Sequence, residues 1–336
     1  MNWLALDIGG ANLKIADGVG YAVSREFFLW QRSRELAAEL SEMIAEAPPA
    51  ERVAVTMTGE LADCFATKAE GVGVILDAVQ RAAAGREVFV YLCGGKLATP
   101  LAARAEALLA AASNWHALGV FAARFCAGWG LLVDVGSTTT DIVPLGSDGP
   151  QAVGQTDPER LVTGELVYTG VERSPLCGIV RNLPWRGEQC AVAQELFATV
   201  ADAYLVLGNL EEDVQNTNMA DGRPRTKAHA HARLARSICA DTTMFSWDDA
   251  RRAAATVRDA QLALLESAAR RVLGRLEVAP QTVVLAGHGE FVARALLERL
   301  DYAGPVISLT DELGPQVSRC ATAHALAVLA SERSAE

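Results

Sequence analysis

The feature that most constrains the fold is a short apolar run in mid-chain that carries a carboxylate and ends in a tight polar turn. The run is residues 131–135, it contains Asp134, and a second apolar run begins after Asp141. Two apolar runs joined by a turn of glycine and hydroxyl residues predict a β-hairpin. Glycine lets backbone N–H groups approach phosphate oxygens, hydroxyls add donors, and Asp134 can hold a divalent cation. The turn residues predicted to bind phosphate are Gly136, Ser137, Thr138 and Thr139.

The N-terminus repeats this arrangement. An apolar run carries Asp7, Gly9 and Gly10 form the turn, and a second apolar stretch follows. One such turn is also typical of an ordinary hairpin without a ligand, but two of them, each between apolar strands, indicate a duplicated scaffold. We therefore predict that both turns bind phosphate, with Asp7 and Asp134 as the candidate metal ligands.

Length and charge restrict the class of protein. The chain has 336 residues, 51% hydrophobic and 21% charged, which is enough for two globular domains. Its net charge of −11 argues against a nucleic-acid partner, which would need clustered lysine and arginine. Neither a membrane span nor a secretory signal is recognisable, so we expect a cytoplasmic protein that does not bind membranes. The seven cysteines are scattered, without a Cys-x-x-Cys pair, and we expect them to be reduced thiols.

Predicted strands and helices alternate along the chain, which predicts the layered α/β fold class. The glycine-flanked connection at Gly128 is the expected boundary between an N-terminal domain, residues 1–128, and a C-terminal domain, residues 129–336. We expect a central cleft between them and a closing helix at about 315–331 that packs back on the first domain. Spacing and apolar runs further predict helices over 101–112, 117–126 and 189–200, and a buried strand over 201–208.

Carboxylates near predicted strands are further candidates for the site. Glu60 and Asp63 follow the predicted strand Arg52–Met57. Since ligand sites in open α/β sheets gather at the C-terminal ends of strands, either residue could be a general base or a metal ligand. The acidic first turn of a helix is the alternative interpretation. Asp202, at the start of the predicted strand 201–208, is a metal or substrate candidate or else a capping residue.

One polar stretch concentrates positive charge in an otherwise acidic chain. Residues 216–227 contain Arg223, Arg225 and Lys227, which favours a mobile loop over an anionic ligand, with a solvated surface loop as the alternative. His229 and His231 follow, and on a helix that spacing turns them apart, which argues against a zinc site.

A third glycine-containing turn comes late in the chain. Gly287, His288 and Gly289 lie between a predicted strand and an amphipathic helix, where backbone N–H groups can contact a phosphate or a nucleoside. Together, the three turns resemble the phosphate 1, phosphate 2 and adenosine segments of the actin, sugar kinase and Hsp70 (ASKHA) superfamily. The resemblance implies two RNase H-like, actin-like ATPase domains around the cleft. It also implies that Lys14, on the strand after the first turn, contacts phosphate.

Other motifs resemble one branch of that superfamily. They are residues 58–63, 67–72, 112–115 and 134–142. The branch comprises hydantoinase/oxoprolinase-like proteins of tetrahydromethanopterin-linked one-carbon transfer. Its member in methanofuran biosynthesis joins γ-glutamyltyramine to (5-aminomethyl-3-furyl)methyl diphosphate, forming an aryl ether and releasing diphosphate. The resemblance implies a diphosphate-releasing transferase of this kind, acting on that phenol or a related one.

The chain departs from the superfamily pattern in two segments. Ala11 and Asn12 stand where nucleotide phosphotransferases usually carry Ser or Thr, and His288 stands where a small residue lies under adenine. Both departures argue for a diphosphate-bearing substrate and against ATP. An ATP-dependent small-molecule kinase, a hydantoinase-like ATPase and a non-catalytic actin-like nucleotide-binding protein remain the alternative functions.

The resemblance also implies a set of site residues. Asp7 and Asp134 would hold Mg²⁺, Lys14 would be catalytic, and Glu60 or Asp63 would take the proton of the phenol. The implied phosphate-binding residues are Gly9, Gly10, Asn12, Gly136, Ser137, Thr138, Thr139, Gly287 and Gly289. No tightly bound organic cofactor is expected, and a homo-oligomer is compatible with the sequence.

Overall fold

The computed structural model describes residues 2–333, which form two lobes, each built on a β-sheet, with a cleft between them. The strands of the first lobe are β1 (Trp3–Ile8), β2 (Asn12–Ala16), β3 (Ala22–Glu26), β4 (Arg52–Met57), β5 (Glu87–Tyr91) and β6 (Leu97–Ala98). Its helices are α1 (Leu29–Arg32), α2 (Leu36–Glu46), α3 (Lys68–Ala82), α4 (Pro100–Ala105), α5 (Ala107–Ala110) and α6 (Asn114–Ala122). Short 3-10 turns lie at Ser33–Glu35 and Ala123–Phe125.

The second lobe follows the same plan with longer helices. Its strands are β7 (Gly130–Val135), β8 (Thr140–Gly146), β9 (Gly149–Pro150), β10 (Leu166–Val167), β11 (Asn182–Trp185), β12 (Glu188–Ala191), β13 (Thr282–Ala286) and β14 (Val306–Ser308). The helices that follow are α7 (Asp157–Thr163), α8 (Leu176–Ile179), α9 (Val200–Leu207), α10 (Lys227–Arg236), α11 (Trp247–Leu273), α12 (Glu290–Arg299), α13 (Leu309–Leu313), α14 (Pro315–Ser318) and α15 (Ala321–Arg333), the last of which packs on the first lobe.

Five strands have the same order in the two main sheets, and β6 in the first sheet and β9, which pairs with β8, in the second are additional. The first runs β3-β2-β1-β4-β5-β6 and the second β10-β8-β7-β13-β14. In each sheet the first two strands form an antiparallel hairpin. A third strand pairs with the second strand of that hairpin. Two later strands add in parallel on the other side, next to the first strand of the hairpin. This is the RNase H-like order, and its repetition confirms the predicted α/β fold of two such domains.

Register places the carboxylates of the two hairpins in equivalent positions. Asp7 on β1 lies opposite Lys14 on β2, and Asp134 on β7 lies opposite Asp141 on β8. The parallel pairing of β13 with β7 sets Ala286 beside Asp134, so the third glycine turn begins next to that carboxylate. The second sheet therefore brings the Asp134 hairpin and the Gly287 turn, which are distant in sequence, to one edge.

Strand β1 lies in the interior of the first lobe. Its six residues are all buried, as is typical of a strand that is covered on both faces. Leu4 and Leu6 pack with α2 and α3 on one face, and Ala5 packs with Ala327 of α15 on the other. Full burial of one such leucine contributes roughly 1.5–3 kcal/mol. The last helix of the chain thus lies against β1, β2 and β4 of the first sheet.

Residues 201–207 lie in helix α9, so the predicted strand over 201–208 is wrong. Thr199 and Asp202 form a reciprocal capping box, and Gly208 ends α9 in the left-handed conformation at φ 83°. The Asp202 carboxylate is fully buried and accepts a hydrogen bond from Arg233 at 2.7 Å. Asp202 is therefore a capping and ion-pairing residue and does not line the cleft.

Three predicted helices also differ from the structure. Residues 189–200 contain the end of β12 and a loop, because Arg186 and Gly187 adopt positive φ and turn β11 into a hairpin with β12. The predicted helix 101–112 is divided at Glu106 into α4 and α5. The predicted helix over 117–126 begins earlier, as α6, and ends in a 3-10 turn.

In the part of the chain that the structure describes, no helix combines the length and apolar character needed to cross a bilayer. All seven cysteines are free.

Candidate active site

The cleft between the lobes has a volume of about 540 Å³, and both hairpin turns contribute to its walls. The predicted site residues that line it are Asp7, Gly9, Gly10, Asn12, Lys14, Asp63, Asp134, Gly136, Ser137, Thr138, Thr139 and Gly287. Glu60 and Gly289 do not line it. The topology thus brings most of the predicted residues together in one cavity.

The two turns have the same backbone structure. Gly9 N–H donates to the Asn12 carbonyl at 3.0 Å, and Gly136 N–H donates to the Thr139 carbonyl at 2.9 Å. The two residues at the tip of each turn donate no backbone hydrogen bond within residues 2–333: Gly10 and Ala11 in the first, Ser137 and Thr138 in the second. Free N–H groups in two such turns can donate to phosphate oxygens.

Asp7 and Lys14 form an ion pair beside the first turn, with 3.4 Å between Oδ2 and Nζ. The second oxygen of Asp7, Oδ1, is buried and has no hydrogen-bond partner within residues 2–333. Burial would lower the pKa of Lys14, but the carboxylates of Asp7 and Asp134 raise it overall. Lys14 is therefore a cation at neutral pH, and Asp7 keeps one oxygen available for a ligand.

Asp134 lies in surroundings that disfavour its charge. Burial, followed by the negative charge of Asp141, raises the pKa of Asp134 to about 7, although Lys14 opposes the shift. A nearby cation would restore the ionised form. Mg²⁺ is usually held by one or two carboxylates together with phosphate oxygens and water. Asp7 and Asp134 fit this cation.

Substrate oxygens and water would have to complete such a metal site. Residues 2–333 contain no cluster of three or more His, Cys, Asp or Glu side chains that could hold a metal by itself. The carboxylates of the cleft therefore suit a cation that arrives with a phosphate group better than a permanently bound structural ion.

Gly287 and Gly289 have different roles. Gly287 has φ +78°, and a Cβ there would lie 2.3 Å from the Val135 carbonyl and 2.5 Å from Oδ1 of Asp134. Gly289 N–H already donates to the Val135 carbonyl at 3.0 Å, and its Cβ would collide with Val135 and Val171. Gly287 therefore lets the third turn approach Asp134, whereas Gly289 serves packing and cannot offer this N–H to a phosphate.

Glu60 and Asp63 differ sharply in exposure. Glu60 is 1% exposed, and its Oε1 lies 3.6 Å from Nζ of Lys68, which itself lies 2.6 Å from Asp157 of the other lobe. Burial is the main reason that the pKa of Glu60 is raised to about 7. Asp63 is exposed and lines the cleft. Of the two predicted bases, only Asp63 is placed where a substrate can reach it.

Glu60→Gln is expected to stabilise the protein above pH 7 and to have little effect below pH 4.5. Burial raises the pKa of Glu60 from 4.5 to about 7, so the folded protein binds the Glu60 proton more tightly than the unfolded chain does. The contribution of this proton to the free energy of unfolding is lost as pH rises through about 7. The glutamine amide in the variant is neutral at every pH, so the variant does not lose stability in this way. We expect a gain of about 2–3 kcal/mol in the free energy of unfolding at pH 8.

Urea unfolding of both proteins from pH 4.5 to pH 8 measures this difference, with the exposed Glu51 changed to Gln as the control. A difference that stayed constant across this range would contradict the assignment.

Comparison with known proteins places the chain in a family. Residues 51–333 match the profile of the hydantoinase/oxoprolinase family. The chain belongs to this family. The match spans most of the first lobe and all of the described second lobe. It agrees with the resemblance of residues 58–63, 67–72, 112–115 and 134–142 to hydantoinase/oxoprolinase-like proteins.

Two relatives of this hydantoinase/oxoprolinase family protein carry the name (4-{4-[2-(gamma-L-glutamylamino)ethyl]phenoxymethyl}furan-2-yl)methanamine synthase. The one from Methanocaldococcus jannaschii is 33% identical over 97% of this chain and 96% of its own length. The one from Methanococcus vannielii is 29% identical over 59% of this chain and 89% of its own length. Among solved structures, nucleotide-free acetone carboxylase is similar in fold, with a TM-score of 0.50 and 13% identity over 94% of this chain and 51% of that chain.

One cleft residue of this hydantoinase/oxoprolinase family protein, Arg160, was missed by the sequence analysis. Arg160 on α7 is 1% exposed, donates to Asp141 at 2.8 Å and lies over the ring of Trp115, 4.1 Å from its centroid. Tyr168 and Leu61 line the cleft with exposed side chains. No local motif marks Arg160, because tertiary packing alone brings it to Asp141 and Trp115. The ring of Tyr168 and the aliphatic side chain of Leu61 provide apolar surface in the same cleft as the two hairpin turns.

The polar stretch 216–227 acts on the cleft only indirectly. None of its three cations, Arg223, Arg225 and Lys227, lines the cleft. Arg225 forms an ion pair with Glu172 at 3.1 Å, and Glu172 in turn lies 3.6 Å from His288. Burial would raise the pKa of Glu172, but His288 and Arg225 lower it overall. Arg225 of this stretch thus acts together with His288 in favouring the ionised form of a cleft carboxylate.

Proposed function

We propose that the protein condenses (5-aminomethyl-3-furyl)methyl diphosphate with γ-glutamyltyramine to an aryl ether and releases diphosphate, in the biosynthesis of a methanofuran-type cofactor. The observation that carries this proposal is the relative that is 33% identical over 97% of the chain and is named for that ether. The two phosphate turns and the apolar side chains of Tyr168 and Leu61 in one cleft support it.

The leaving group is held by the two turns. Backbone N–H groups of both turns, the hydroxyls of the second turn and the ammonium of Lys14 neutralise the diphosphate as the bond between its oxygen and the methylene carbon breaks. The electron pair of that bond stays on the diphosphate. The electron-rich furan stabilises the positive charge left on the methylene carbon, so the protein supplies mainly positioning and charge stabilisation.

The acceptor completes the reaction. The phenol oxygen forms the new bond to the methylene carbon, and its proton passes to the carboxylate of Asp63. Mg²⁺ held by Asp7 and Asp134 would supply further positive charge to the departing diphosphate. We place this chemistry in the cytoplasm, where the seven free thiols stay reduced.

The direct test incubates the purified protein with Mg²⁺, the furfuryl diphosphate and γ-glutamyltyramine. Mass spectrometry of the ether and a colorimetric assay of diphosphate should report equal amounts of both products. Tyramine and other phenols in parallel reactions define the acceptor. ATP hydrolysis without release of diphosphate from the furfuryl substrate would refute the proposal in favour of an ATPase, and ATP-dependent light scattering without turnover would indicate an actin-like assembly.

Asp63→Asn is expected to lower kcat for ether formation by roughly 10²–10⁴-fold, because general-base catalysis typically contributes that much. Glu60→Gln is the matched control, since Glu60 is 1% exposed and does not line the cleft, and its kcat should stay close to that of the unchanged protein. Steady-state release of diphosphate measures both variants. If Asp63→Asn retained full kcat, a different group would have to accept the proton.

A further inference from the structure

Trp30 and Arg173 connect the two phosphate turns across the cleft. They lie on opposite lobes, both line the cleft, and the guanidinium carbon of Arg173 is 4.6 Å from the Trp30 ring centroid. Each is attached to the turn of its own lobe. Leu29, which precedes Trp30, donates its N–H to the Gly10 carbonyl at 2.9 Å, and Arg173 donates its own N–H to the Ser137 carbonyl at 3.1 Å.

Arg173, unlike Lys14 and Arg160, has no acidic partner within residues 2–333. Lys14 is paired with Asp7, and Arg160 is paired with Asp141. Within residues 2–333, the Arg173 side chain forms no ion pair, and it is exposed. A guanidinium that is free of carboxylates beside two phosphate turns is available to bind an anion.

The chemistry of the guanidinium selects the kind of anion. Its planar fork of N–H donors matches two oxygens of a phosphate group. A cation–π contact at an exposed site is weaker than such a charge-assisted pair of hydrogen bonds. An incoming diphosphate can therefore displace Trp30 as the partner of Arg173.

We propose that Arg173 is a diphosphate-binding residue that rests on Trp30 in the empty cleft and moves to the diphosphate when the ligand enters. The identity of the ligand as a diphosphate ester rests on the proposed function. Arg173 then stabilises the leaving group together with the two turns, and Trp30 holds the guanidinium beside Ser137 between turnovers.

The test measures binding of inorganic pyrophosphate with Mg²⁺ to the full chain by isothermal titration calorimetry. Arg173→Gln should weaken binding by roughly 10–100-fold, and Arg173→Lys by less, because lysine keeps the charge and loses the fork.

Arg186→Gln is the matched control, since Arg186 lies over Trp185 at 4.4 Å and does not line the cleft. Arg319→Gln removes another exposed cleft arginine without an ion pair within residues 2–333 and should weaken binding by less than about threefold.

Trp30→Leu separates ligand binding from a purely structural contact between the lobes. If Arg173 must leave Trp30 in order to bind, this variant should bind pyrophosphate at least as tightly as the unchanged protein. A loss as large as that of Arg173→Gln would overturn the proposal, as would an unchanged affinity in Arg173→Gln, an equal loss in Arg319→Gln, or no measurable binding by the unchanged protein.

Failure of this inference and failure of the proposed function give different results. Pyrophosphate binding does not require ether formation, so selective weakening in Arg173→Gln would support the role of Arg173 even if no ether were formed. Ether formation with pyrophosphate affinity unaffected by Arg173→Gln would leave the proposed function in place and remove Arg173 from it.

Discussion

Asp134→Asn is expected to lower ether formation by roughly 10³-fold while raising the melting temperature of the ligand-free protein. Burial and the charge of Asp141 raise the pKa of Asp134 from 3.8 to about 7, so the ionised carboxylate destabilises the folded state until a cation arrives. Asparagine has nearly the same shape and carries no charge. We expect a stabilisation of about 1–3 kcal/mol at pH 8 that disappears below pH 4.

Scanning calorimetry and diphosphate release measure the two effects separately. The exposed Asp148, changed to Asn, controls for the substitution itself and should alter neither quantity. Addition of Mg²⁺ with pyrophosphate should raise the melting temperature of the unchanged protein more than that of Asp134→Asn. A variant that lost activity and stability together would indicate a structural role for Asp134.

Gly287→Ala is the second substitution with a large expected effect. The added Cβ would lie 2.3 Å from the Val135 carbonyl and 2.5 Å from Oδ1 of Asp134, at a residue whose φ is +78°. The left-handed backbone alone costs about 1–2 kcal/mol for alanine, and overpacking adds about 1–3 kcal/mol. Because the clash displaces Asp134, we also expect the activity of the surviving folded protein to fall sharply.

Gly187→Ala is the matched control for Gly287→Ala. Gly187 has φ +84°, but a Cβ there would have nothing within 4 Å. This variant should show the backbone cost and no loss of activity. Chemical denaturation and diphosphate release under identical conditions compare the two. Equal losses of stability with unchanged activity would mean that the close approach of Gly287 to Asp134 has no part in the site.

The hairpins could be predicted from the sequence because their signal is local. Asp7 and Asp134 each lie in an apolar run beside a glycine turn, and the pairing of neighbouring strands needs no information from elsewhere in the chain. The repetition of this pattern also predicted a duplicated scaffold, and the resemblance to the ASKHA superfamily implied the RNase H-like strand order that both sheets have.

Other residues could not be placed because their surroundings come from distant segments. Glu60 is buried by α3, where Gly71 approaches its backbone so closely that a Cβ would lie 2.3 Å from the Glu60 carbonyl oxygen. Asp202 depends on Arg233, 31 residues later, and the apolar run that follows it has the composition of a buried strand. The contact between Trp30 and Arg173 exists only after both lobes have folded. The surroundings of each of these residues depend on tertiary packing, which local sequence patterns do not encode.

The paired register of the two hairpins has a consequence for how a substrate is oriented. The backbone of one hairpin repeats that of the other, but Asp7 lies opposite a lysine whereas Asp134 lies opposite a second aspartate. A symmetric scaffold thus carries an asymmetric distribution of charge. A free diphosphate has two equivalent ends, but its ester has only one end attached to carbon. For the substrate in the proposed function, the difference between Lys14 and Asp141 would give the cleft a direction along which the two ends of the ester differ in their surroundings.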